Sequence, residues 1–170
     1  MLRFYLRRFY KIPSDFIDMN QLAHFLINFI VFSYILEDAK KYIFPIFILS
    51  WLLDIDHISG YLYILKNKPL VTIKENVEKF RTVIQEPIGI LFFEVIIGIL
   101  FLLGFNKMIL FIASISILLH WIIDFLTVHT RPLYPFNDKI VSILFHTKKQ
   151  RIISEIIITL IAIIIFVARL

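Results

Sequence analysis

The stretch His120-Trp121-Ile122-Ile123-Asp124-Phe125-Leu126-Thr127-Val128-His129-Thr130-Arg131-Pro132-Leu133-Tyr134-Pro135-Phe136 decides how this chain is read. Its first half continues an apolar run that starts near Met108 and matches the ~20 residues a helix needs to cross a bilayer. Its second half is polar and broken by two prolines. His120 and Asp124 are four residues apart, so they project from one face of the helix, one turn apart. Ionisable groups at this depth are costly against hydrocarbon and face a partner or a cavity.

Working outward, other apolar stretches carry polar groups of the same kind. Asp54-Ile55-Asp56-His57 interrupts one, and His24 with Asn28 lies in another. In a helix Asp54 and His57 share a face and Asp56 points elsewhere; if the segment unwinds there, all three can converge on a cavity. Glu94 lies in the middle of a further apolar segment, and Glu86 precedes Pro87 at its start. The apolar segments are roughly 21–37, 42–65, 88–106, 108–127 and 152–168, each near the ~17–25 residues of a spanning helix.

Composition agrees. The chain has 170 residues, of which 59% are hydrophobic, and its mean hydropathy is +0.84, well above a soluble domain. The expected fold class is therefore all-α: a polytopic transmembrane bundle of about five spans. It forms a single domain over 21–170, after an interfacial segment at 1–20 whose arginines alternate with aromatics. A net charge of +5 invites nucleic acid, but the basic residues do not gather on one soluble module. Fourteen of the eighteen lysines and arginines fall in the N-terminal segment and in the connections 66–87 and 128–151. The other four are Lys40, Lys41, Lys107 and Arg169. That asymmetry places the N-terminus in the cytoplasm and predicts a multi-pass protein of the cell's inner, cytoplasmic membrane. No cleavable signal is read at the start, where basic residues lead to Pro13-Ser14-Asp15.

Counting ~1.5 Å per residue from the outer ends of the segments places His24, Asp54, His57, Glu94, His120 and Asp124 roughly 18–24 Å down. They share one level in the cytoplasmic half. With no cysteine in the chain, a bound metal has only imidazole, carboxylate and water as ligands, a set that suits Zn²⁺, Mn²⁺ or Fe²⁺. The absence of His-Glu-x-x-His, Gly-x-Ser-x-Gly and a P-loop disfavours the zincin, serine-hydrolase and nucleotide-binding classes. Proton-coupled transport would spread ionisable groups along a path, whereas here they cluster.

The set His24, Leu53-Asp54-Ile55-Asp56-His57 and His120-x-x-x-Asp124-x-x-Thr127, leading to Pro132-Leu133-Tyr134-Pro135-Phe136, resembles the family of inner-membrane, LexA-binding, predicted metal-dependent hydrolases. The resemblance covers residues 20–140. It implies a small multi-pass protein whose metal-site residues fall on His24, Asp54, Asp56, His57, His120 and Asp124. Many members carry His-Arg-Gly-x-Thr-His-Ser between the two clusters; here the region reads Phe80-Arg81-Thr82-Val83-Ile84-Gln85-Glu86-Pro87. Arg81 is kept and both histidines are absent, so either Glu86 takes over as a ligand or half of a two-metal site is lost.

The expected activity is a metal-dependent hydrolase at the cytoplasmic leaflet, acting on a lipid ester or phosphoester. His57, His120 and Asp124, with His24 or Asp54, would hold a divalent metal, zinc first. Asp56, Glu86 or Glu94 would act as general base, and Arg81 and Arg131 would receive a phosphate or carboxylate. The competing expectation is a membrane anchor or partner-binding protein whose His–Asp pairs only hold the bundle together. His129 lies at the mouth of the site, and His146 is read as solvated.

Overall fold

The computed structural model describes residues 21–54, 83–127, 130–133, 136–137, 139 and 141–170. Among them there are five α-helices and no strand: α1 Gln21–Ile35, α2 Ile43–Ser50, α3 Pro87–Leu102, α4 Lys107–Thr127 and α5 Lys148–Arg169. Segment 1–20 lies outside the described residues.

The helix boundaries follow from local chemistry. Pro45 sits in the first turn of α2, where its missing N–H has no intrahelical acceptor to lose. Pro87 opens α3 in the same way, after an extended Glu86. Gly104 takes φ +82° in the turn between α3 and α4, a conformation open to a residue without Cβ. Asn106 then caps α4, its Oδ1 accepting from the N–H groups of Met108 and Ile109 at 3.0 and 3.1 Å. At α5, Thr147 and Gln150 form a reciprocal capping box.

One expectation is corrected here. The apolar run 42–65 does not start as a continuous spanning helix: α2 ends at Ser50, and a 3₁₀ turn, Leu52–Asp54, follows. The unwinding entertained for the Asp54 region therefore occurs. Among the described residues, two helices are by length and composition apolar and long enough to cross a membrane, Lys107–Thr127 and Lys149–Arg169. Helices α1 and α3 are apolar but shorter, at 15 and 16 residues.

Helix α4 is the centre of the packing and touches α1, α2 and α3, while α5 lies along α1. Two ring contacts fix the direction of α1 against α4. His24 stacks on His120 and Phe32 meets Phe111, so the index rises on one helix as it falls on the other: the pair is antiparallel. Along α5, Phe166 packs on Phe25 and Phe29, and the Arg169 guanidinium lies over the Tyr34 ring at 3.9 Å. Helix α5 thus runs parallel to α1, and the C-terminal ends of α1 and α5 lie at the same end of the bundle as the N-terminal end of α4. Lys40 and Lys41, just beyond α1, Lys107 and Arg169 consequently collect at one end. There Lys40 reaches the Leu170 carbonyl and Lys41 pairs with Asp38.

Two apolar clusters fill the interior. One contains Phe25, Phe29, Phe32, Ile46, Ile112 and Ala162; the other contains Leu53, Ile90 and Ile117. After α4 the chain folds back on itself. Thr130 and Val141 exchange backbone hydrogen bonds of 3.0 and 2.8 Å, and the Leu144 N–H donates to the Leu126 carbonyl at 3.1 Å.

Candidate metal centre

Helix α4 presents Ser116, His120 and Asp124 along one face at four-residue spacing, and all three are buried. Helix α1 answers with His24 and Asn28, also buried and four apart. Because the helices are antiparallel, His24 arrives level with His120 and Asp124. The two imidazoles lie face to face, with ring centroids 3.8 Å apart and planes within 3°. The Asp124 carboxylate spans both: Oδ1 is 3.2 Å from His24 Nε2 and Oδ2 is 3.7 Å from His120 Nε2.

The end of α2 supplies the rest. The last carbonyls of a helix lack intrahelical donors, and that of Ser50 accepts from His120 Nδ1 at 2.8 Å. The bond fixes the ring's orientation and puts the proton on Nδ1, so Nε2 is the lone-pair side of the neutral ring. The following 3₁₀ turn then swings Asp54 inward until its Oδ1 lies 3.4 Å from that same Nε2. Two carboxylates thus approach one imidazole nitrogen that has no hydrogen-bond partner of good geometry.

The donor chemistry, imidazole nitrogen and carboxylate oxygen, suits a small divalent cation. His24, His120 and Asp124 offer mutually adjacent ligand atoms, all within 4.8 Å of one another. Asp54 approaches this set only at His120 and is not among its mutually adjacent members. This buried group could hold a metal ion.

The other expected residues are placed as follows. Glu94 is not at the centre; its Oε2 accepts from the Ser114 hydroxyl at 2.8 Å, six residues before His120 and so about 9 Å along α4. The depth count set it level with His120, whereas its contact with Ser114 lies in the α3–α4 seam. Glu86 is fully buried, and its Oε1 accepts from the Arg131 backbone N–H at 3.0 Å. It fastens the start of α3 to the returning loop, and Arg131 enters that contact through its main chain. Asp56, His57, Arg81 and His129 lie outside the described residues. His146 is exposed.

One residue was missed. Gln85, fully buried, donates from Nε2 to the Leu53 carbonyl and to Asp54 Oδ1, both at 3.4 Å. Where the sequence suggested Glu86 as a replacement ligand, the 3₁₀ turn Val83–Gln85 instead brings its neighbour to the centre, behind Asp54. Nothing in the sequence separates these two adjacent residues; only the turn's phase does. Residues that orient a ligand are worth 10–100-fold in metal affinity, so Gln85→Ala is expected to weaken zinc binding by about that factor. Competition against a chelating dye measures it, and an unchanged affinity removes Gln85 from the centre.

Comparison with protein-family models, curated proteins and solved structures returns no match for this chain.

Proposed function

We propose that the protein is a multi-pass membrane metalloenzyme, a hydrolase in which His24, His120 and Asp124, with Asp54, hold one divalent cation in the cytoplasmic half of the bilayer. Charge balance at His120 Nε2 carries the reading. Two carboxylates and two stacked imidazoles share one buried space. Protonating one ring offsets one of the two negative charges and protonating both stacks two cations 3.8 Å apart, whereas a divalent cation offsets both charges and leaves the rings neutral, as metal ligation requires. Uncompensated charge in a dry interior costs several kcal/mol per ion, of the order seen for unpaired buried ions.

The five-span arrangement with a cytoplasmic N-terminus belongs to this proposal. It draws support from the gathering of Lys40, Lys41, Lys107 and Arg169 at one end, and from apolar side chains left exposed along α3 and α5, such as Leu91, Phe92, Leu102, Ile164 and Val167. A lipid ester or phosphoester is the substrate class that reaches such a centre laterally. When bound, the cation supplies Lewis acidity toward water and toward the scissile oxygen. This chain's own contributions are the Ser50 carbonyl that sets the His120 ring, the Gln85 amide that steadies Asp54 and the Asp124 carboxylate that spans both rings. The resemblance to the inner-membrane hydrolase family points the same way.

Metal analysis of the purified full chain tests the reading. Wild type is expected to carry about one equivalent of a divalent metal and His120→Ala almost none. Equal, near-zero metal in both ends the hydrolase reading and leaves the anchor, with its His–Asp contacts as packing devices.

A further inference from the structure

Immediately beyond the centre, α1 and α4 continue with a second polar layer that no mechanism has yet used. His24 lies against His120 and Phe32 against Phe111; interpolation between these contacts sets Asn28 level with Ser116. Both are 0% exposed. Asn28 Nδ2 donates to the His24 carbonyl at 2.9 Å, but its Oδ1 accepts from nothing. Ser116 Oγ has no partner either. A helical serine or threonine ordinarily donates back to the carbonyl three or four residues earlier. Ser33, Ser50, Thr127 and Ser154 all do so in this chain. Ser116 does not. One turn away, His24 Nδ1 is also buried and without a partner.

We propose that Asn28, Ser116 and His24 bind water, forming a small hydrated compartment behind the His/Asp centre. Each group offers what a water molecule satisfies: an amide oxygen that accepts, a hydroxyl that does both, and a ring nitrogen on the side opposite Asp124. Buried waters make about three hydrogen bonds, to polar groups that otherwise have none. Three such groups on facing helix turns meet that requirement, and Ile112 and Ile117, which flank Ser116 on α4, are fully buried. The ligand has to be small and neutral, because nothing charged faces Asn28 or Ser116 from α1 or α4 at that level. The compartment's existence stands apart from the metal. Its use rests on the proposed hydrolase: an imidazole that ligates through Nε2 needs a carbonyl, a carboxylate or a water at Nδ1, and here the compartment provides the water.

Solid-state NMR of the ¹⁵N-histidine-labelled full chain in lipid bilayers reads this directly, by magnetisation transfer from water to each imidazole. The His24 ring is expected to receive transfer within a few-fold of that of exposed His146. Ser116→Ala together with Asn28→Leu should reduce it several-fold and leave His146 unchanged. Ser116→Ala alone removes only a hydroxyl and serves where the double variant does not fold; it should give a partial reduction. A dry His24 in the wild type, or transfer unaffected by either variant, overturns the compartment. Metal content measured on the same samples separates the two ideas: a dry His24 in a metal-loaded protein sinks only the compartment, and a hydrated His24 without metal sinks only the hydrolase.

Discussion

Asp124→Ala is expected to be the most damaging single substitution in the described part of the chain. The residue is 1% exposed, and its carboxylate is the group that touches both stacked imidazoles. Two magnitudes bracket the result. If Asp124 is only a hydrogen-bonding link between helices, its loss costs about 0.6 and at most about 1.7 kcal/mol, the range of such contacts inside membrane bundles. If it is one member of a buried charged set, removing it leaves the remaining charge uncompensated and costs about 3–5 kcal/mol. The centre described here predicts the second range, together with metal affinity reduced by more than ~100-fold, beyond the loss expected for an orienting residue. Asp124→Asn keeps the shape and forfeits the charge, so it should lose the metal while recovering part of the stability. Unfolding in mixed detergent micelles, with and without added zinc, gives both quantities. A cost near 1 kcal/mol with no zinc dependence would return Asp124 to the role of polar packing.

The second large effect lies in the seam between α1 and α5. Phe29 is fully buried, with its ring edge-on to Phe166 at a centroid distance of 4.8 Å. In a water-soluble core, Phe→Ala costs about 3–5 kcal/mol, because lost transfer energy adds to the cavity left behind. Between helices that separate into lipid the transfer part vanishes, since acyl chains are as apolar as the partner helix. What remains is the cavity: about 100 Å³ at ~24 cal/mol per Å³, or roughly 2.4 kcal/mol. Phe29→Ala is therefore expected to destabilise the bundle by about 2–2.5 kcal/mol in a bilayer-like medium. A loss of 4 kcal/mol or more would argue that this seam opens into water on unfolding, in the manner of a soluble core.

How much of this was legible beforehand differs residue by residue. His120 and Asp124 were legible as a pair because four-residue spacing within one helix is a local fact. His24 was legible as a level, since depth depends only on rise per residue and on which way each segment runs. Glu94 shows where that reasoning stops: segment ends read from apolar runs misplace depth by a turn or more and say nothing about azimuth, and the residue meets Ser114 instead of the imidazoles. Asp54 reaches the centre through a break that its own polarity in an apolar run had suggested, because α2 stops at Ser50 and the chain turns. Gln85 was invisible beside a carboxylate that looked more useful and is occupied elsewhere.

The sequence by itself determined the helical character, the apolar lengths, the sorting of basic residues and the restriction of any metal to nitrogen and oxygen ligands. All of these are set by composition and by periodicity within a segment. Only the tertiary structure decided which polar groups meet. Ring stacking between α1 and α4, the freed Ser50 carbonyl and the inward swing of Asp54 depend on how separate helices rotate and where one of them ends. Those are choices made by packing, and no single segment contains them.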